Sequence, residues 1–106
     1  MKPVLIISTY PNKKSILKIA NELVKTKIIA CVNISKIDSV YSWNGEIQNS
    51  SEYIAIFKTV TKNKTKLKKK IVETHPYDVP EIAEIDVTSI NKSYLNWLIE
   101  SKKLSF

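Results

Sequence analysis

Arginine is absent from this chain, and glycine, cysteine and histidine each occur once. With no arginine, all 17 basic residues are lysines, and the net charge of +7 comes without the forked donor that reads guanine and phosphate bidentately. Specific nucleic-acid recognition is therefore not expected, and the lysine excess reads as a solvated surface. The lone Cys31 cannot form an internal disulfide, which fits a reducing compartment and gives the cytoplasm as the expected location. The lone Gly45 leaves no phosphate-cradling glycine loop; HExxH and paired CxxC motifs are also missing, so no enzyme is expected. Long apolar runs are lacking too. Val4-Leu5-Ile6-Ile7 gives way to Ser8-Thr9, too short for a signal-peptide core, and nothing approaches the roughly 20 apolar residues that cross a bilayer. A soluble, intracellular protein without membrane insertion is expected.

The one glycine lies in the most informative stretch. Asn44-Gly45 separates two apolar, β-branched and aromatic runs, and both residues accept φ > 0 cheaply, so a tight primed turn is expected. Residues 30 to 59 then form one hairpin, with Trp43 facing Glu46, Tyr41 facing Gln48, Ser39 facing Ser50, Ile37 facing Glu52 and Cys31 facing Lys58. A pair of strands this long exceeds the usual length, which predicts a bend or bulge near Lys36-Ile37-Asp38 or Asn49-Ser50-Ser51. Tyr41 and Trp43 near the tip need a neighbour to cover them, and a second subunit would supply it.

Around the hairpin the pattern is regular. Pro3 to Thr9 reads as a central strand, since its apolar residues are consecutive. Asn12 can cap a helix whose Ile16, Ile19, Ala20, Leu23, Val24 and Lys27 recur at helical spacing. A second helix follows Thr59-Val60-Thr61, with Leu67, Ile71 and Val72 as a narrow apolar stripe among Lys62, Lys64, Lys66, Lys68, Lys69 and Lys70. Thr74-His75-Pro76 ends it. Ile82 to Val87 reads as the last strand, and Ser93 to Ile99 as a short helix after Asn91, sealing a sheet edge or an intersubunit seam.

This order predicts a single α+β domain over residues 1–106, a ferredoxin-like βαββαβ sandwich with a long protruding hairpin and a C-terminal helix. Both main helices then cover one face of the sheet. The other face is left bare and aliphatic, which favours an oligomer.

The candidate chemistry is sparse. Imidazole and thiolate suit copper or zinc, so His75 and Cys31 are the candidate metal ligands, with a carboxylate completing a site; the alternatives are a loop-fixing histidine and a buried structural thiol. Copies of His75 could also meet at subunit boundaries. Lys58, with Tyr41 and Trp43 from a neighbour's tip, would line a cleft for a small anion or planar molecule; an aromatic seam is the plainer alternative.

Taken together, Ala30-Cys31-Val32-Asn33-Ile34, Ser39 to Ile47, Glu52 with Lys58-Thr59, His75-Pro76-Tyr77-Asp78-Val79-Pro80-Glu81-Ile82, and Tyr94-Leu95 with Trp97 resemble the CutA divalent-cation-tolerance family over nearly the full chain. The resemblance implies a ferredoxin-like protomer in a tight homotrimer, related in fold to the trimeric PII signalling proteins. It implies tolerance to copper and other divalent cations, with copper or another divalent cation weakly bound and no turnover. The residues it carries over as an intersubunit cleft are Cys31, Tyr41, Trp43, Glu52, Lys58, His75, Tyr77 and Glu81. Among them His75 and Cys31 are the soft metal ligands and Glu81 an oxygen donor. The rivals are a PII-like sensor binding a small anionic metabolite, and a nucleic-acid binder acting through Lys62 to Lys70.

Overall fold

A computed structural model describes residues 1–100 of the chain. Four strands and three helices follow one another as β1 (Pro3–Tyr10), α1 (Lys13–Lys25), β2 (Cys31–Trp43), β3 (Glu46–Val60), α2 (Lys64–Thr74), β4 (Ala83–Asp86) and α3 (Lys92–Ile99). The strands form one sheet in the order β2-β3-β1-β4, with every neighbouring pair antiparallel. This is the expected ferredoxin-like arrangement, in which two strand-helix-strand units interleave.

The turn sets the hairpin. Asn44 and Gly45 have φ of 50° and 78°, so both central residues take the left-handed conformation that the primed turn demands. From there β2 and β3 pair without a break from Trp43↔Glu46 down to Cys31↔Lys58, in the expected register. The expected bulge does not form. Around Asp38 and Ser51 the side chains are small, polar and largely exposed, so no core contact requires the strands to bend there.

One face of the sheet makes the main core. Alternation along β1 and β3 puts Val4, Ile6 and Tyr10 beside Ala55 and Phe57, all under Ile16, Ile19 and Leu23 of α1 and Leu67 and Ile71 of α2. Asn12 caps α1 as expected, its side chain accepting from the Ser15 N–H at 2.8 Å. Val24 and Lys27, expected on the buried stripe, are exposed. Lys27 instead closes the helix in the left-handed conformation, φ 63°, while the Ile28 N–H returns to the Leu23 carbonyl at 3.0 Å. Val72, expected on the α2 stripe, also faces solvent, leaving Leu67 and Ile71 to anchor that helix.

The opposite face is not wholly bare. Trp97 and Leu98 of α3 cover Val60 at the base of the sheet, beside Ala30, Cys31 and Tyr94. Above that cover, Leu5, Ile7, Ile54, Ile56 and Ala83 remain half-buried, and Ile85 is exposed. The hairpin extends beyond the paired end of β1, giving the molecule a long axis of 48 Å against 27 and 25 Å. Val40, Trp43 and Ile47 on this extension are each about two-thirds exposed. No helix among the described residues is long and apolar enough to cross a membrane.

Candidate functional site

The loop between α2 and β4 determines the site. Pro76 prevents α2 from continuing, and His75 leaves it with extended backbone, turning the chain across the Thr9-Tyr10 end of β1. There the His75 ring stacks on Tyr10 with centroids 4.2 Å apart. Nδ1 accepts the backbone N–H of Tyr77 at 3.0 Å, which fixes the proton on Nε2, and Nε2–H donates to the Thr9 carbonyl at 2.8 Å. Partial burial lowers the His75 pKa and outweighs the opposing pull of Thr9 and Glu52, so the ring is neutral at pH 7.

Tyr77, placed by that contact, reaches across to the hairpin and donates its hydroxyl to Glu52 Oε2 at 2.7 Å. Burial alone would raise the Glu52 pKa. Hydrogen bonding, foremost from Tyr77 and also from Ser39 and Thr9, more than reverses this and keeps the carboxylate ionised. Burial and the charge of Glu52 in turn push the Tyr77 phenol well above its ordinary range. Tyr10, His75, Tyr77 and Glu52 thus tie the loop to β1 and to the hairpin.

Between the loop and the hairpin lies a groove of about 740 Å³ lined by Thr9, Tyr41, Trp43, Gln48, Glu52, Pro76, Tyr77, Asp78, Val79 and Glu81. It combines three aromatic side chains with three carboxylates, and no lysine among the described residues lines it. Lys36, beside the groove in sequence, points to the opposite sheet face by alternation.

The structure therefore brings Tyr41, Trp43, Glu52, Tyr77 and Glu81 together, with His75 behind them as the residue that orients Tyr77. Cys31 and Lys58 are elsewhere. They face each other at the level of Leu5, four residues and about 13 Å down β1 from Thr9. Lys58 lies 5.6 Å from the Tyr94 ring centroid, with Nζ 3.5 Å from its hydroxyl. Cys31, His75 and Glu81 are thus not convergent within one chain, both imidazole nitrogens of His75 are engaged, and no three His, Cys, Asp or Glu side chains among the described residues are grouped to hold a metal ion. Sequence reasoning had no reason to include Thr9 or the stacking partner Tyr10, whereas Pro76 and Val79 lie inside the motif that carries the family resemblance. Gln48 was legible as the cross-strand partner of Tyr41, and Asp78 by its place beside Tyr77.

The lysine stripe is partly neutralised by the same sheet. Glu84 on β4 pairs with Lys68 and, at 3.0 Å, with Lys64, and those contacts lower its pKa.

Comparison with known proteins places these features in one lineage. Residues 4–101 match the family model described as CutA1 divalent ion tolerance protein. The divalent-cation tolerance protein CutA of Pyrococcus horikoshii is 41% identical over 100 residues, covering 94% of this chain and 98% of that one. The chloroplastic protein CutA of Arabidopsis thaliana is 38% identical, over 94% of this chain and 56% of its own. The crystal structure of CutA1 from Ehrlichia chaffeensis superposes with a TM-score of 0.91 at 39% identity, covering 98% of this chain and 99% of its own. A matching fold and a family match that runs over residues 4–101 lead to one statement: the chain belongs to the CutA1 divalent ion tolerance family.

Proposed function

We propose that the protein is a non-enzymatic, homotrimeric binder of divalent cations, working in the cytoplasm, in which each groove is completed by a neighbouring subunit. The supporting observation is the charge of the groove. On a chain carrying +7, the lining presents Glu52, Asp78 and Glu81 and, among the described residues, no lysine, which suits a positively charged occupant. Glu81 is the oxygen donor of this reading, and weak binding of copper or another divalent cation follows because one chain groups too few ligands. His75 serves in the resting protomer by positioning Tyr77. For His75 to coordinate copper it must give up its contact with Thr9 or Tyr77, and Cys31 can contribute only across a subunit boundary. The half-buried aliphatics Leu5, Ile7, Ile54 and Ile56, together with the exposed Trp43, Val40 and Ile47, support the trimer, since they need a cover.

A second reading rests on Lys58. Its ammonium has no carboxylate within ion-pair distance among the described residues and lies beside Tyr94, which suits a small anionic metabolite bound in a PII-like cleft when a neighbour's tip comes close. Native mass spectrometry of metal-free protein titrated with Cu(I), Cu(II) and Zn(II) separates the two. The cation reading expects a trimer taking up a fixed number of ions, fewer in Glu81→Gln. A trimer that stays bare at micromolar free metal refutes it, and loss of ions in His75→Ala or Cys31→Ser would assign those residues as ligands.

A further inference from the structure

We infer that the layer formed by α1 and α2 is a docking surface for an anionic lipid bilayer. The sorting of charge carries this. Residues 11–28 and 61–74 hold eleven of the 17 lysines and only two of the ten acidic residues, Glu22 and Glu73, so these segments carry +9. The rest of the chain, six lysines against eight carboxylates, carries −2. Solubility alone would be served as well by lysines interspersed with acids over the whole surface. Ile16, Ile19, Ala20 and Leu23 fix the inward side of α1, so Lys14, Lys18 and Lys25 form one outward ridge. On α2, Leu67 and Ile71 face the sheet, while Lys66 and Lys69, with Lys62 just before the helix, are exposed. Of the lysines in this layer only Lys64 and Lys68 have a carboxylate within ion-pair distance among the described residues, and both share Glu84. Like charges one turn apart, as at Lys14 and Lys18, repel, and a facing negative surface relieves that repulsion.

The chemistry of the layer favours lipid over nucleic acid. It holds no arginine and no aromatic residue, so it lacks both the fork that grips phosphate bidentately and the platform on which bases stack. It does hold exposed aliphatic side chains. Leu17 and Val24 flank the α1 ridge, and Val72, 60% exposed, lies one turn from Lys69. Beside the phosphates of a nucleic acid these residues gain nothing. Against a bilayer they enter the headgroup boundary once the lysines hold the helices to anionic headgroups. Neighbours that cover the aliphatic sheet face and the hairpin would leave this layer outward, because α1 and α2 pack on the other side of the sheet.

The test is co-sedimentation of the full-length protein with vesicles of phosphatidylglycerol and phosphatidylcholine in equal parts, and with vesicles of phosphatidylcholine alone. Binding to the charged vesicles, falling as salt is raised, and none to the neutral ones is expected. Lys14→Gln combined with Lys18→Gln should weaken it by about 25-fold, or about fivefold for each lysine near the anionic surface. Lys92→Glu, on α3, lowers the net charge by the same two units and should weaken it by less than about twofold. Leu17→Ser combined with Val24→Ser keeps the charge and should still weaken vesicle binding several-fold. All these positions are exposed, so the variants should melt like the parent. Equal binding to neutral vesicles, or an equal loss in Lys92→Glu, would overturn the inference. So would an unchanged affinity in the Leu17 and Val24 variant, or binding to random-sequence duplex DNA without binding to the charged vesicles, which would reassign the layer to nucleic acid.

Discussion

The two halves of the hairpin have the same register, the same turn and the same alternation, yet opposite fates. In the half near the helices, Ala55 and Phe57 are completely buried and Val32 and Ile34 pack against them. In the far half, Val40, Trp43 and Ile47 stand in water. Pairing is thus decided locally, by the turn and the backbone ladder, while burial is decided by what else the chain can bring to a face. Helices of this chain cover the near half. The far half displays apolar surface that no other element among the described residues covers, and the groove begins where the two halves meet.

The comparison is sharpest at Phe57. Phe57→Ala should cost about 3–5 kcal/mol of folding stability, measured by denaturant unfolding, because the ring is fully enclosed and leaves a cavity. A loss below about 1 kcal/mol would mean that the near half is not the organising core. At the junction, Tyr77→Phe removes one hydrogen bond to a partly solvated carboxylate and should cost about 1 kcal/mol, while proteolysis of the 75–81 loop speeds up. An unchanged cleavage rate would show that the loop is held by other contacts.

Acid should loosen the same junction. The His75 pKa lies below its ordinary 6.5, so the unfolded chain binds the proton first as the pH falls. Stability is complete above 6.5 and declines from there down to the folded pKa. Glu52, also lowered, from 4.5, adds a further decline in the same direction at more acid pH. Melting temperature followed from pH 7.5 to 5 should drop in the parent protein and stay flatter in His75→Gln; parallel curves would remove His75 from the explanation. The smallest effect on folding is expected in the far half. Trp43→Ser should change protomer stability by no more than about 0.5 kcal/mol, since the ring is mostly exposed, yet should weaken the proposed trimer in sedimentation at low concentration. A protomer destabilised by more than about 1 kcal/mol with assembly intact would reverse the roles of the two halves.

Much of this architecture was legible because the sequence punctuates itself sparingly. A single glycine fixes the turn, the turn fixes the register, and the spacing of Ile16, Ile19 and Leu23 gives the helix its face. The bulge was misjudged because typical strand length says nothing about whether a particular pair is asked to bend. Residues 49–51 carry only Asn and Ser, which make no demand. Val72 and Val24 were assigned to buried stripes by spacing alone, which ignores how narrow each helix's contact with the sheet is. The groove was half legible. Its aromatics and Glu81 came together through the resemblance, but the Tyr77 to Glu52 contact joins a loop to a strand 25 positions away, and no local pattern encodes such a distance. Within one chain the unbroken register carries Lys58 and Cys31 to the other end of the sheet, so the intersubunit cleft that the resemblance implies would draw them from a neighbour.

That unbroken register has a mechanical meaning. Beyond the level of Tyr10, where β1 stops supporting the sheet, β2 continues from Ile37 to Trp43, a cantilever of about 23 Å with no joint along it. A jointless beam tilts as a whole: a rotation of about 5° at its root displaces the tip by about 2 Å. The groove runs along that beam, from Thr9 and Glu52 at its root to Tyr41 and Trp43 near its tip, and is closed on the other side by a loop tethered to β1. An occupant of the groove would therefore touch the beam from root to tip and bear on its tilt as a whole.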